Sequence, residues 1–200
     1  MILRVTGMMN KSLRDSRTER NLIHAFAGES QARNRYTYFA SKARKEGLMQ
    51  IAAIFAETAD QEKEHAERFF KFLEGGFVNV NAAFPAGIIG DTAANLAAAA
   101  DGEYDEWHTL YPGFAEVARQ EGFAEIALVF DYVCVAEKLH EKRYRDLLRL
   151  LETDQVFKRP APVVWRCMNC GYIHTGNFAP MRCPSCDHDR GYFMVFNETL

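Results

Sequence analysis

Two four-residue stretches have the composition and spacing to grip a cation: Glu62-Lys63-Glu64-His65 and Glu137-Lys138-Leu139-His140. Each is a Glu-x-x-His. On an α-helix, positions three apart share a face at about 5–6 Å, so the carboxylate and the imidazole reach one ion together. A third set is sulfur-based. Cys167-x-x-Cys170 and Cys183-x-x-Cys186 are separated by twelve residues, a spacing that suits one tetrahedral four-thiolate site.

Each Glu-x-x-His interrupts an apolar stripe. In steps of three and four, one helix reads Phe123, Ile126, Phe130, Val133, Glu137, His140, Tyr144, Leu147, Leu151. The other reads Ile51, Phe55, Thr58, Glu62, His65, Phe69, Phe72. This is the period of a core-facing helix. A Glu in such a seam costs several kcal/mol if charged and unpaired. It must be neutral, ion-paired or metal-bound. A single Glu is explained by a Glu–Arg pair; matched pairs on two helices point to metal.

The chain also repeats itself. Phe39, Ala43, Gly47, Ile51, Phe55, Glu62 and His65 recur 75 positions later as Phe114, Ala118, Gly122, Ile126, Phe130, Glu137 and His140, and Tyr36 maps to Tyr111. The pattern predicts two αα-hairpins, each turning at a Gly that caps a helix. A pseudo-twofold would set one Glu-x-x-His on each side of a shared centre, with room for two metals.

The supporting elements follow in order. Residues 1–15 read as an N-terminal extension without the apolar core of a signal peptide, and Met8 and Met9 are possible starts. Ser16-x-x-Glu19 is a capping box opening a helix to Glu46. Its stripe Leu22, Ala25, Glu29, Ala32, Tyr36 is interrupted by Glu29, for which a pairing with Arg33 is the simple explanation. A second helix spans about Leu48 to Glu74. Residues 77–90 lack a helical period and fit a long crossover. A short Ala-rich helix over 92–100 is broken by Asp101-Gly102.

A third main helix then carries Glu103 and Glu106 on its inward side, unless Asp101 and Asp105 mark a solvated acidic turn. Pro112 should kink this helix. The repeat slips here, because Glu29 plus 75 lands on Tyr104, and a bulge or kink would absorb the slip. A fourth helix spans about 123–151, completing a bundle over 16–152. Residues 153–162 read as a linker and 163–200 as a small metal-stapled module. That module is too short to fold on its core alone, with Trp165, Tyr172, Phe178, Phe193 and Phe196 as aromatic filling.

Composition narrows the options. The formal charge is −3 without a basic run, which argues against nucleic acid. No apolar stretch reaches membrane-spanning length. Four of the five cysteines fall in the last 34 residues, which is not a secreted disulfide framework, so a cytoplasmic protein is expected. Cys134 reads as a small buried hydrophobe. Spacing does not separate zinc from iron at the four thiolates.

The sequence resembles the rubrerythrins over nearly its whole length from about Lys11. The resemblance rests on Ala27-Gly28-Glu29-Ser30-Gln31-Ala32-Arg33-Asn34-Arg35-Tyr36, Glu62-x-x-His65, Phe84-Pro85-Ala86-Gly87-Ile88-Ile89, Glu103-x-x-Glu106, Glu137-x-x-His140 and the four cysteines. It implies a mainly α, ferritin-like four-helix bundle with a long crossover, plus a small rubredoxin-like domain with a four-cysteine metal site. One Glu from each of two helices and Glu-x-x-His from the other two is the general form of di-iron carboxylate bundles.

The implied cofactors are two irons in the bundle and one at Cys167, Cys170, Cys183 and Cys186. Glu62 and Glu137 would bridge the pair, Glu29 would bind the first iron, and Glu103 with His140 the second. Glu106 would ligate the first iron when oxidised and yield to His65 on reduction. Tyr36 and Tyr111 would hydrogen-bond the ligands. The implied reaction is reduction of hydrogen peroxide to water. Electrons would come through the thiolate-bound iron from NAD(P)H by way of a separate reductase or a rubredoxin. Family members are dimers in which one chain's cysteine module lies beside the other's di-iron centre, so a homodimer or higher oligomer is implied. A ferritin-like ferroxidase and a zinc-ribbon adaptor on a structural bundle are the competing readings.

Overall fold

The computed structural model describes residues 11–197. The expectations for residues 1–10 and for the last three residues lie outside it. Within it, α1 (Arg17–Lys45), α2 (Met49–Phe70), α3 (Thr92–Asp105), α4 (Tyr111–Gln120) and α5 (Ala124–Glu152) build the bundle. Strands β1 (Lys158–Cys167), β2 (Ile173–Phe178) and β3 (Phe193–Val195) form a small antiparallel sheet in the order β2-β1-β3.

Ser16 caps α1, with the return bond of the capping box shifted back one residue to Asp15. Its Oγ accepts from the Glu19 amide at 2.9 Å, and the Glu19 carboxylate accepts from the Asp15 amide at 2.8 Å. The two hairpins then turn alike. Gly47 and Gly122 have φ of 76° and 81°, the left-handed region open to glycine. Leu48 N–H bonds Ala43 C=O at 2.9 Å, and Phe123 N–H bonds Ala118 C=O at 2.8 Å. Both turns close their helix through the same backbone pattern, 75 residues apart.

Three boundaries differ from the sequence reading. Helix α2 ends at Phe70 rather than Glu74. Glu74 instead accepts from Ser12 Oγ and the Leu13 amide at 2.7 and 2.8 Å, tying down the segment before α1. The separate helix over 92–100 is also corrected. Asp101-Gly102 does not break it, and one rod runs from Thr92 to Gln120 through a π-turn at Glu106–Leu110. Gly102 lowers helix propensity by about 1 kcal/mol, too little to end a packed helix. Finally, β1 begins at Lys158, inside the stretch read as linker, with an irregular register between Lys158 and Val163.

The π-turn accounts for the slip in the repeat. Glu29 to Tyr36 is seven residues, and Glu103 to Tyr111 is eight. One extra residue in a continuous helix is taken up by a wider turn. Tyr111 N–H accordingly reaches back five residues to Glu106 C=O. Pro112, which lacks an N–H, follows directly, and α4 resumes with it in the first turn.

Two apolar clusters fill the bundle. One gathers Tyr36, Phe39, Ile51, Phe55, Leu96, Tyr144 and Leu147. The other gathers Leu22, Phe69, Tyr111, Ile126, Phe130 and Val133. On α1, α2, α3 and α5 the switch between clusters falls at Glu29, Glu62, Glu103 and Glu137, so a belt of carboxylates separates them. The residues between α2 and α3 form no helix or strand, as the crossover reading expects, and leave Phe77 and Ile88 exposed.

Candidate metal centres

All four belt carboxylates are fully buried, and His140 is 3% exposed. They fall into two overlapping sets: Glu29, Glu62, His65 and Glu137, and Glu62, Glu103, Glu137 and His140. In each set, donor atoms lie within 4.8 Å of one another. Glu62 and Glu137 belong to both. This is the shared centre that the internal repeat calls for.

The contacts within the belt are close, yet few are good hydrogen bonds. His140 Nδ1 lies 2.7 Å from Glu137 Oε2, 3.1 Å from Glu62 Oε1 and 3.5 Å from Glu103 Oε2. It makes no aligned hydrogen bond to any of them. Glu29 Oε2, Glu62 Oε1, Glu103 Oε2 and both Glu137 oxygens are likewise buried without a hydrogen-bond partner. Orphaned buried carboxylate oxygens are costly unless a cation meets them, so the donor set fits metal. Oxygen and imidazole donors together suit iron.

The electrostatics agree. Burial, and then repulsion from Glu137, pushes the pKa of Glu29 well above the usual range. Burial and then Glu62 do the same to Glu103. Burial alone would depress both imidazoles. The surrounding carboxylates reverse this, raising His65 to about 10 and His140 to about 12. Burial also works against ionised Glu62, but the neighbouring His140 and His65 imidazoles hold it at about 2. The belt attracts positive charge.

Two tyrosines brace the belt. Tyr36 OH donates to Glu103 Oε1 at 2.5 Å, and Tyr111 OH donates to Glu29 Oε1. Both rings are fully buried. Glu29 therefore does not take Arg33, which is exposed. Glu103 is no solvated acidic turn.

Glu106 stands apart. It belongs to neither set of converging donors. Located in the π-turn, it lines a small cavity beside Gly28 under the crossover. Burial, and then repulsion from Glu103, raises its pKa well above the usual range.

Gln61 is a residue that the sequence reading missed. Its side-chain oxygen lies 3.0 Å from His140 Nε2. Accepting that N–H leaves the lone pair on Nδ1, facing the carboxylates, as a metal-binding imidazole requires. No sequence signal marks it, since its repeat counterpart is Ala136.

The sulfur site is equally compact. Cys167, Cys170, Cys183 and Cys186 bring their sulfurs within 4.8 Å of one another without a disulfide. The two loops share one design. Gly171 N–H bonds Cys167 C=O, and Asp187 N–H bonds Cys183 C=O, both at 2.9 Å. Gly171 and Asp187 both have positive φ, 80° and 59°, so Asp187 takes in the second loop the part that Gly171 takes in the first. The His188 amide holds Cys186 down at about 6, a thiolate ready for metal. Trp165 and Phe193 are fully buried beneath the site, while Phe178 is exposed and not part of that core. Cys134 is half-buried, and burial raises its pKa to about 11. His24 and His108 lie off the belt, against Phe84 and Tyr104.

Comparison with known proteins gives one answer at three levels. The sequence model of the rubrerythrin family matches residues 20–148, and that of the rubrerythrin rubredoxin-like domain matches residues 165–194. Rubrerythrin of Porphyromonas gingivalis is 58% identical over 185 residues, covering 92% of each chain. A solved structure of nigerythrin in a partially reduced state is 29% identical. It superposes with a TM-score of 0.61, covering 98% of this chain and all of that one. The bacterioferritin of Desulfovibrio desulfuricans, 21% identical with a TM-score of 0.60 over 69% of this chain and 81% of its own, shares the fold alone. The belt and the four sulfurs fit the two irons and the single iron that this match entails. An identity this high over nine-tenths of both chains leaves one assignment: the chain belongs to the rubrerythrin family, oxidoreductases with a di-iron bundle and a rubredoxin-like domain.

Proposed function

We propose that the protein reduces hydrogen peroxide to water, taking two electrons and two protons per O–O bond cleaved. One observation carries the reading. A buried two-metal belt and a four-thiolate site are built into one chain, and an attached one-electron site serves turnover rather than storage. When bound, the iron pair supplies the two electrons together, and the sulfur-held iron resupplies them singly.

The residues divide the work. Glu62 and Glu137, common to both donor sets, would serve both ions; Glu29 with His65 would hold one and Glu103 with His140 the other. Five carboxylates, counting Glu106, bring five negative charges. That is one more than two ferrous ions carry and one fewer than two ferric ions. Glu106, outside both donor sets, would exchange with His65 as a ligand of the first ion. Tyr36 and Tyr111 fix their carboxylates and can deliver protons, as can Glu106.

The electron donors in this reading are a reductase using NAD(P)H or a separate rubredoxin, in a cytoplasmic setting that keeps thiolates reduced. The protein would act as a homodimer. An exposed apolar stripe on α5, Leu128, Tyr132, Val135 and Leu139, runs beside His65 and would receive a second copy. Among the described residues, no helix is long and apolar enough to cross a membrane.

The test is turnover by the iron-loaded protein with NAD(P)H and a reductase. One NAD(P)H should be consumed per peroxide, and the ferric-thiolate absorption should bleach and return. Iron oxidised by dioxygen and retained as mineral, with no peroxide consumed, would favour a ferroxidase instead.

A further inference from the structure

The crossover does more than connect helices. Its Phe84 sits edge-on to His24 of α1, ring centroids 5.4 Å apart at 89°. Together with Gln31, Arg35, Asp105 and Glu106 they line a partly enclosed cavity of about 80 Å³. At about 30 Å³ per water in the liquid, it holds roughly two small molecules. Its chemistry is mixed. Phe84 covers it, carboxylates edge it, and His24, Gln31 and Arg35 contribute polar groups to its lining. At its inner end lies Glu106, whose Oε1 is 3.8 Å from where a Cβ on Gly28 would stand. Gly28 keeps that end open.

We propose that this cavity is the admission site for hydrogen peroxide, with the polar groups of its lining as docking partners and Phe84 as the wall that sets the size limit. The proposal rests on the peroxidase reading above and deepens it. A small neutral molecule that both donates and accepts hydrogen bonds matches this lining. A branched alkyl hydroperoxide exceeds the space that Phe84 leaves.

Two substitutions at residues outside the metal belt act in opposite directions. In Gly28→Ala the new methyl meets Glu106 at ordinary contact distance and replaces a mid-helix glycine. Melting temperature should therefore hold or rise, while kcat/KM for hydrogen peroxide falls severalfold. In Phe84→Ala the ratio of kcat/KM for tert-butyl hydroperoxide to that for hydrogen peroxide should rise severalfold. The third readout is independent of turnover. A high-resolution crystal structure of the iron-loaded protein should show ordered water in this cavity, reduced in Gly28→Ala. A dry cavity, or unchanged kinetics in both variants, overturns the proposal. If the wild-type protein does not turn over peroxide at all, the functional reading fails instead, and the water in the cavity still decides whether it admits small polar molecules.

Discussion

Tyr36 and Glu103 come from different helices, 67 residues apart, and meet in a 2.5 Å hydrogen bond with no solvent access. Its twin, Tyr111 to Glu29, braces the other side of the belt. Tyr36→Phe leaves Glu103 Oε1 without its donor. The loss of a partner by a buried polar group costs about 1–3 kcal/mol. The variant should lose that much stability in urea melts of the metal-free protein, and Tyr111→Phe should do the same. No change in either midpoint would mean that the hydroxyls brace nothing.

Gln61 turns His140 toward the belt through Nε2. Gln61→Ala releases the ring without touching a ligand. Removing such an outer partner typically lowers metal affinity by about 10–100-fold. Metal titration should show one of the two bundle ions weakened by that factor, with the other little changed. Equal loss at both positions would argue against this assignment.

Glu121 is one acid-sensitive contact of the fold. It accepts from the Thr18 amide at 2.9 Å, Thr18 Oγ1 at 2.7 Å and the Arg17 amide at 3.2 Å, binding the start of α1 to the α4–α5 turn. Burial pushes its carboxyl up, but these donors hold it at about 2, below its ordinary 4.5. A folded-state pKa that is depressed adds stability above the unfolded value. That stability is complete above about pH 4.5 and is lost as pH falls toward about 2. Glu121→Gln should flatten this part of the stability–pH curve in denaturant midpoints. An unaltered slope would remove Glu121 from the acid response.

The cysteine module depends on its metal more than on its core, because Trp165 and Phe193 are its only fully buried large side chains among the described residues. Stripping that metal should unfold the module alone. Trp165 emission should shift to the red, while far-UV circular dichroism keeps the helical signal of the bundle. Simultaneous loss of both signals would show that the two parts do not fold separately.

Gly191 lies so close against the α1–α2 turn that a Cβ there would collide with the carbonyl oxygen of Gly47. Both neighbours are backbone, so nothing flexible can yield. Gly191→Ala should lift the module off the bundle. Proteolysis after α5 should accelerate, with metal content intact.

Much of this arrangement was legible in the residues. Glu62, His65, Glu137 and His140 declared themselves because charge interrupted an apolar period, and the cysteines because their spacing admits few other uses. The repeat located both glycine turns. Other features were hidden for physical reasons. Asp101-Gly102 looked like a break because local propensity is weak evidence once packing overrides it. Gln61 is an ordinary surface residue by type, and its role exists only across helices. Glu106 was read as inward-facing, and repulsion from Glu103, Glu137 and Glu62 does reach its carboxyl; the π-turn that carries it was expected only as a bulge or kink. Asp187 adopts a glycine-like conformation, which its identity does not announce.

That π-turn has a wider consequence. A faultless twofold would make the two metal positions interchangeable, equal in avidity and in potential. The extra residue between Glu103 and Tyr111 has no twin between Glu29 and Tyr36. The degeneracy is lifted at its root: the two positions are inequivalent in the chain itself, before any ion is bound.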